Sequence, residues 1–134
     1  MFPKGATTVQ GTNPKMEIKV GSDILKLQKF QNSFQRYPQK FKRDIFCESE
    51  LKNQEVSHLA GIFSAKEAVI KALDLKAGSW KFIEIENSKS GKPFIKFNSP
   101  LTQKDIESCD LSISHHGDYV IAMVAFLINN EDSR

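Results

Sequence analysis

The sequence predicts an α+β domain in which helices pack against an antiparallel sheet. The chain has 134 residues, which is the length of one ordinary domain. Apolar residues recur at helical spacing through the first half, and the second half changes to the alternating or continuous apolar segments that are typical of strands. Hydrophobic residues make up 40% of the chain and include 10 Phe, so we expect a small, Phe-rich core.

The first predicted elements are a strand and a helix. Residues 16–20 alternate between apolar and polar side chains, which predicts a short strand. The Gly-Ser-Asp segment at 21–23 is predicted to end this strand. Apolar residues then recur every three or four positions over 24–34, which predicts a helix that ends before Pro38.

The middle of the chain is predicted to be a connector followed by helix. Residues 41–46 are basic and aromatic and are interpreted as the connector. An apolar stripe over 48–73 predicts a helical region, and Gly61 is the place where it could divide into two helices.

The second half is predicted to contain four strands. Residues 80–86 and 94–97 flank a polar loop at 87–93, which indicates a hairpin. Residues 111–114 alternate between apolar and polar, and residues 119–128 are almost wholly apolar, as in a buried strand.

The predicted domain covers residues 16–128. Residues 1–15 are rich in Gly, Pro and small polar residues and are predicted to be a flexible N-terminal arm. Residues 129–134 are predicted to be a polar C-terminal tail.

The net charge of +3 is too small an excess to indicate a nucleic-acid-binding protein. No apolar run of 18 residues occurs, so we predict no membrane span and a soluble, cytoplasmic protein. Cys47 and Cys109 are expected to pack as small hydrophobic residues.

Asp23 stands where the predicted strand gives way to the predicted helix. One interpretation is a helix N-cap, whose carboxylate accepts hydrogen bonds from backbone N–H groups. The other is a functional one, because a carboxylate beside a helix N-terminus is well placed to bind a metal or phosphate. The position alone favours the N-cap.

Glu67 has two structural interpretations. Ser64 and Glu67 match the Ser-x-x-Glu capping box, although the apolar stripe places Ser64 inside a helix. Glu67 and Lys71 also have the i,i+4 spacing of a helical ion pair, worth about 0.2–0.5 kcal/mol. Taken alone, these structural roles are favoured over a catalytic one.

Two further segments could carry chemistry. His115 and His116 open a predicted turn at 115–118, where a histidine is either solvated or, beside phosphates, able to donate hydrogen bonds and take a proton near neutral pH. The Gly-Lys-Pro segment at 91–93 has the composition of a hairpin turn and indicates nothing more by itself.

Four short motifs follow one another along the chain. They are Gly-Ser-Asp-Ile at 21–24, Phe-Ser-Ala-Lys-Glu-Ala and Lys-Ala within 63–72, Gly-Lys-Pro at the end of 88–93, and Ser-Ile-Ser-His at 112–115 with Tyr119 and Ala122 after it. In this order they resemble the motifs of holo-acyl-carrier-protein synthases, the small single-copy type of the 4′-phosphopantetheinyl transferase superfamily. The resemblance covers residues 16–128, and the central motif is its most specific part. It implies the 4′-phosphopantetheinyl transferase fold in a trimer-forming chain.

The resemblance implies a magnesium enzyme that transfers the 4′-phosphopantetheine arm of coenzyme A to a serine of an apo acyl carrier protein, giving holo carrier protein and 3′,5′-ADP. Asp23 and Glu67 would bind Mg²⁺, which usually takes one or two carboxylates together with substrate phosphates. Lys71 would complete the catalytic set by pairing with a phosphate as a point charge. The sequence does not decide whether Glu67 or a water molecule deprotonates the serine.

The resemblance also implies where the two substrates bind. Besides Lys71, the residues expected to bind coenzyme A are Gly91, Lys92, Pro93, Ser114 and His115, with His115 supplied by a neighbouring subunit of a homotrimer. The basic residues expected to bind the acidic helix of the carrier protein are Lys26, Lys29 and Arg36. At least one of Phe30 and Phe34 is expected to be buried.

The sequence departs from the family pattern at three places. Lys29 replaces the usual Arg and lacks its bidentate contact geometry. Gly61 and Ile62 stand where basic residues are common, and Leu73-Asp74 where a Gly-rich turn is usual. These departures motivate a second hypothesis, a catalytically weak or inactive member that binds carrier proteins or nucleotides without turnover. A third hypothesis, an RNA-associated domain, rests only on the positive charge.

Overall fold

A computed structural model describes residues 15–98 and 105–130. Its helices and strands, in chain order, are β1 Met16–Lys26, α1 Leu27–Arg36, α2 Pro38–Asp44, a 3₁₀ helix Glu48–Lys52, α3 Val56–Leu73, a second 3₁₀ helix Ser79–Phe82, β2 Ile83–Asn87, β3 Pro93–Phe97, β4 Ile106–His116 and β5 Tyr119–Asn129. The predicted α+β class is therefore confirmed. Nearly all of the predicted arm and tail lie outside the described residues, although Asn129, assigned to the tail, ends β5.

The main sheet has three antiparallel strands in the order β1-β5-β4. Ala122 of the central strand lies opposite Asp23 of β1 on one side and Ile113 of β4 on the other. Because successive side chains point to opposite faces of a strand, this row defines one face of the sheet, and that face packs against α3. The predicted hairpin is confirmed as the separate β2–β3 pair.

The first strand is longer than the sequence predicted. Neither a break at 21–23 nor a helix from Ile24 occurs, because β1 pairs with β5 without interruption from Met16 to Lys26. Gly21 is buried where β1 crosses α3, and a Cβ atom at this position would overlap the backbone carbonyl of Ala68. Gly21 therefore allows β1 and α3 to pack closely together, and it does not form a turn.

The helical predictions need two further corrections. Most of the predicted connector at 41–46 belongs to α2, which begins with Pro38 at a position where proline favours helix initiation. Gly61 does not divide the second helical region, because it lies inside the continuous helix α3, and the region is divided before Val56 instead.

Aromatic residues fill the space between α1, α2 and α3. Phe30 is buried, and its ring centroid lies 5.6–6.4 Å from those of four other Phe residues. Those residues are Phe34, Phe41, Phe46 and Phe63. The expected Phe-rich core and the burial of Phe30 are confirmed. Cys47 is buried as expected, whereas Cys109 is exposed, so the prediction was wrong for Cys109.

A fully buried ion pair connects α3 to the elements on either side of it. The Lys66 ammonium donates to Glu50 Oε1 at 2.7 Å and to the backbone carbonyls of Ile45 at 2.6 Å and Trp80 at 3.1 Å. Glu50 in turn accepts the backbone N–H groups of Cys47 and Ile85, each at 2.7 Å. Burying charged groups costs little only when they are paired and hydrogen-bonded, as both are here.

Candidate active site at the crossing of β1 and α3

Asp23 lies in the middle of β1, on the face that meets α3. Its side chain is 15% exposed, and it accepts hydrogen bonds from two residues of that helix. Ser64 Oγ donates to Oδ2 at 3.1 Å, and Lys71 Nζ donates to Oδ1 at 3.1 Å. The N-cap interpretation was wrong, because Lys26 occupies the N-cap position of α1. Asp23 instead connects the strand to the helix.

Glu67 lies between Ser64 and Lys71 along α3. Residues three and four apart share one face of a helix, so these three residues lie on the same side of α3. Since Asp23 contacts both Ser64 and Lys71, its carboxylate faces the turn that carries Glu67. The structure therefore places Asp23 against the helix face that carries Glu67.

The structural alternatives for Glu67 are both overturned. Ser64 is interior to α3, which begins at Val56, and its hydroxyl group bonds to Asp23, so it forms no capping box. Lys71 bonds to Asp23 and to the carbonyl of Ser22 at 3.0 Å, so it is not the i,i+4 partner of Glu67. Glu67 Oε2 accepts a 3.4 Å hydrogen bond from the indole N–H of Trp80.

The donor set at this crossing fits magnesium. Asp23 and Glu67 offer carboxylate oxygens, the ligands that a hard cation such as Mg²⁺ prefers, and usually only one or two of them are needed beside substrate phosphates. Within the described residues, no group of three or more His, Cys, Asp or Glu side chains is arranged to hold a metal ion. A shallow depression that opens to solvent is lined by Asp23 and Lys71.

A second depression lies at the other end of α3. The residues that line it are His58, Gly61, Ile62, Ile85, Asn87, Gly91, Pro93, Ile113 and His115. Gly61 forms part of its floor, because a Cβ atom there would lie 3.3 Å from Ile113 Cγ2 and 3.6 Å from His115 Nε2. His115 Nε2 lies 3.2 Å from the carbonyl oxygen of Ser57. Gly91, Pro93 and His115, predicted as coenzyme A contacts, thus share one groove.

Two other predicted coenzyme A contacts lie away from that groove. Lys92 Nζ donates to Asp110 Oδ1 at 2.8 Å, which fastens the β2–β3 hairpin to β4. The hydrogen bond and the positive charge of Lys92 also lower the pKa of the Asp110 carboxyl group. Ser114 is exposed and pairs with Ile121, on the face of the sheet opposite to α3.

The three residues predicted to bind the carrier protein are exposed around the first helix. Lys26 is the last residue of β1 and Arg36 the last of α1, with Lys29 between them. The Arg36 guanidinium lies 5.8 Å from the centre of the Tyr37 ring. These positions leave all three cations accessible to an acidic partner.

The face of the sheet that points away from α3 is apolar and exposed. Ile18 is 72% exposed and Met123 56% exposed, although both belong to paired strands. Other exposed apolar residues on this outer face are Val20, Ile24, Tyr119 and Ile121. A contiguous apolar surface of this kind usually marks an interaction site.

A comparison with known families places the chain. The family model described as the 4′-phosphopantetheinyl transferase superfamily matches residues 19–124, which include most of β1, all of α3 and both depressions. The chain belongs to this superfamily.

Relatives of the transferase superfamily match the chain over most of its length. The holo-[acyl-carrier-protein] synthase of Caldanaerobacter subterraneus subsp. tengcongensis is 37% identical over 129 residues, which cover 88% of this chain and 100% of the relative. The protein of the same name from Campylobacter fetus subsp. fetus is 38% identical over 112 residues, covering 78% of this chain and 96% of the relative.

Solved structures of the superfamily share the fold. The holo-[acyl-carrier-protein] synthase of Neisseria meningitidis superposes with a TM-score of 0.72 at 29% identity, covering 81% of this chain and 96% of the other. The Helicobacter pylori synthase in complex with coenzyme A superposes with a TM-score of 0.69 at 28% identity, covering 80% of this chain and 98% of the other.

Over the residues that the structure describes, no helix has the length and apolar character needed to cross a membrane. The cytoplasmic location stays a prediction.

Sequence reasoning missed three residues of this transferase-superfamily site. Ser64 was considered only as a helix cap, although its place one turn before Glu67 puts it on the same helix face. Trp80 was assigned to a strand, whereas it belongs to the 3₁₀ helix that precedes β2. His58 lies within the apolar stripe predicted over 48–73, and it lines the groove with His115.

Proposed function

We propose that this chain transfers the 4′-phosphopantetheine arm of coenzyme A to a serine of an apo acyl carrier protein. The observation that carries the proposal is the contact of Asp23 with Ser64 and Lys71, one on each side of Glu67. Relatives more than 30% identical over most of their length are named holo-[acyl-carrier-protein] synthase, and a similar structure holds coenzyme A.

The reaction replaces a phosphoanhydride bond of coenzyme A with a phosphoester bond to the carrier protein. The serine oxygen of the carrier protein forms a bond to the β-phosphorus of coenzyme A, and the bond from that phosphorus to the oxygen bridging to the α-phosphate breaks. The 3′,5′-ADP leaves with the electron pair of the broken bond. The serine proton passes to a base, and Glu67 or a water molecule beside it is the candidate.

Asp23 and Glu67 are the proposed magnesium ligands. When bound, magnesium would neutralise charge on the pyrophosphate and orient it for attack. The positions of the two carboxylates are set by the protein before any ligand binds, since Asp23 is fixed by Ser64 and Glu67 by Trp80. Prepositioned ligands of this kind need little reorganisation during the reaction.

Lys71 is proposed to bind a phosphate of coenzyme A. Its ammonium group lies at the open depression beside Asp23, and its side chain is 58% exposed, so it can reach a ligand while staying near that carboxylate. His115, Gly91 and Pro93 are proposed to contact the nucleotide end of coenzyme A in the second groove. Lys92 and Ser114 stay predictions, and the ion pair of Lys92 with Asp110 gives Lys92 a role in holding the hairpin.

A homotrimer with active sites between subunits is the proposed assembly. Within one chain, the depression at Asp23 and the groove at His115 have no lining residue in common. The apolar outer face of the sheet offers a surface through which a second chain could bring its groove to the first chain's carboxylates. Ser114 lies on this face, so a role for it belongs with the assembled protein.

The carrier protein is proposed to bind at α1. Lys26, Lys29 and Arg36 present positive charge there, and an acidic partner helix would be attracted to it. Since these cations are exposed, we expect them to affect the association rate and its salt dependence more than the chemical step.

The proposed function is tested by mass spectrometry of an apo acyl carrier protein after incubation with this chain, coenzyme A and magnesium. The carrier should gain the mass of phosphopantetheine, and a chelator should stop the gain. Asp23→Ala and Glu67→Ala should each lower kcat/KM at least about 100-fold while remaining folded, because a metal supplies several kcal/mol of charge stabilisation.

Glu48→Ala is the matched control, because it removes an exposed carboxylate that lines neither depression and should leave turnover nearly unchanged. Full activity in Asp23→Ala or Glu67→Ala would contradict the metal assignment. Binding of coenzyme A without transfer to any carrier protein would favour the binding module over the enzyme.

A further inference from the structure

The side chain of Trp80 contacts Glu67 directly. Its indole N–H donates to Glu67 Oε2 at 3.4 Å, and this is the hydrogen bond that the Glu67 side chain forms within the described part of the chain. An indole nitrogen can donate but not accept, so the contact requires an acceptor, which the carboxylate provides. The other oxygen, Oε1, stays available to a ligand.

Residues on each side of Glu67 hold Trp80 in place. One turn earlier in α3, the ring of Phe63 packs against the indole with 6.1 Å between ring centroids. In the position directly before Glu67, Lys66 donates from its buried ammonium to the Trp80 carbonyl at 3.1 Å. Both the ring and the backbone of Trp80 are therefore attached to the helix that carries the carboxylate.

The buried ion pair makes this attachment rigid. Lys66 is fixed by Glu50 and by the carbonyl of Ile45, and Glu50 is fixed by backbone N–H groups on two different segments. A side chain fully buried with all its donors engaged has few alternative rotamers. The position of the Trp80 backbone is therefore determined by the core and not by solvent-exposed contacts.

A neutral donor suits a carboxylate that must also bind a cation. An ammonium group in the same place would offset the negative charge of Glu67, whereas an indole N–H orients the carboxylate and leaves its charge intact. Lys71, the cation with i,i+4 spacing to Glu67, is directed to Asp23 instead. Outer hydrogen bonds to ligating carboxylates usually tune metal affinity.

We propose that Trp80 is a positioning residue that orients the Glu67 carboxylate for magnesium, an inference that rests on the proposed role of Glu67 as a metal ligand. It acts through Glu67, the side chain that its indole N–H contacts. Its ring is held by Phe63 and its backbone by Lys66, so the core of the protein determines the direction in which Glu67 points.

The test variant is Trp80→Phe, which keeps an aromatic ring against Phe63 and the carbonyl that Lys66 binds, but removes the N–H donor. The magnesium concentration for half-maximal activity should rise about 10–100-fold, the usual cost of losing an outer partner of a metal ligand. The KM for coenzyme A at saturating magnesium should stay within about twofold. Calorimetric titration of magnesium into the coenzyme A-saturated protein should show the same loss of affinity without turnover.

The native tryptophan gives a second readout that needs no Trp80 variant. Trp80 is the only tryptophan in the sequence, so the intrinsic emission of the protein reports on it alone. With coenzyme A saturating, added magnesium should change this emission, and Glu67→Gln should abolish the change. Unchanged emission at saturating magnesium would overturn the coupling between Trp80 and the metal ligand.

Two controls separate the possible failures. Phe82→Leu alters an exposed aromatic residue of the same 3₁₀ helix and should leave magnesium affinity unchanged. In a Glu67→Gln background, Trp80→Phe should cause no further loss, because the two residues act as one unit. If Glu67→Gln weakens magnesium binding and Trp80→Phe does not, the inference about Trp80 is wrong and the proposed function stands. If Glu67→Gln itself retains full magnesium affinity, the metal assignment is wrong.

Discussion

Asp74 ends the helix that carries the candidate site, and it does so in an unusual backbone conformation. Its φ of 53° and ψ of 46° are left-handed, and among the described residues it is the one residue other than glycine with a positive φ. Its N–H group donates to the carbonyls of Ile70 and Lys71, so α3 stops just beyond Lys71. Asp74, which stands where the family usually has a Gly-rich turn, thus keeps a left-handed backbone conformation that costs some conformational energy.

Asp74→Gly should stabilise the protein by about 0.5 kcal/mol. The left-handed conformation costs an L-residue roughly 1–2 kcal/mol, less for Asp than for most, and glycine recovers this while losing some entropy in the unfolded chain. Urea denaturation would measure the difference.

Asp74→Ala is the matched control for this substitution. Alanine lacks both the freedom of glycine and the local hydrogen bonding of aspartate, so this variant should be less stable than the parent. An Ala variant as stable as the Gly variant would show that the conformation carries no cost.

The elements show where local sequence patterns predict this fold and where they fail. The hairpin and β5 were predicted closely, because they depend on periodicity and on turn residues. The prediction for β4 was too short, since the strand runs from Ile106 to His116 and includes two residues that were predicted to open a turn. The end of β1 was misplaced because Gly21 looks like a break in a local pattern, while its actual role is to let β1 lie against Ala68, which is 47 positions later in the chain.

The candidate site shows the same division. The order of the four motifs predicted Asp23, Glu67 and Lys71 as site residues, but the contacts of these residues depend on how β1 lies across α3. The bond from Ser64 to Asp23 and the bond from Trp80 to Glu67 join different elements, and no spacing along the chain encodes them. The burial of Glu50 was not predictable for the same reason, since its partner Lys66 comes from another element.

Lys66→Met should destabilise the protein by about 3–5 kcal/mol. The substitution keeps most of the buried volume but leaves the Glu50 carboxylate inside the core without its cation, which is the costly way to break a buried ion pair. Equilibrium unfolding in urea would measure the loss.

Lys92→Met is the matched control, because its partner Asp110 is exposed and such pairs contribute about 0–1 kcal/mol. Equal losses of unfolding free energy in the two variants would contradict the larger contribution expected of the buried ion pair. If Lys66→Met remains folded, its affinity for magnesium should also fall, since Trp80 loses the contact that fixes its carbonyl.

At the scale of the whole molecule, the proposed functional surfaces of one chain lie in different places. The carboxylates lie where β1 crosses α3, and the groove with His115 lies where the β2–β3 hairpin approaches β4. The apolar outer face adjoins the depression at Asp23, because Ile24 and Ile121 belong to both. Covering that face would remove exposed apolar area from water, at roughly 25 cal/mol for each Å² buried. The same association could place one chain's groove beside another chain's carboxylates, so that stability and function would favour the same assembly.

Met123→Lys tests this assembly, because Met123 is 56% exposed at the centre of the outer face, between Ser22 and Ser112. The parent protein should have three times the 15.2 kDa mass of one chain in sedimentation equilibrium, whereas the variant, with a charge on every copy of the buried face, should be monomeric. Transfer activity should fall with the assembly, and Phe94→Lys, an equally drastic change on β3, should leave the mass unchanged. A monomeric parent protein would contradict the proposed trimer. A monomeric variant with full transfer activity would show that each chain holds a complete active site. In that case the carboxylates of one chain would not need the His115 groove of a neighbouring chain.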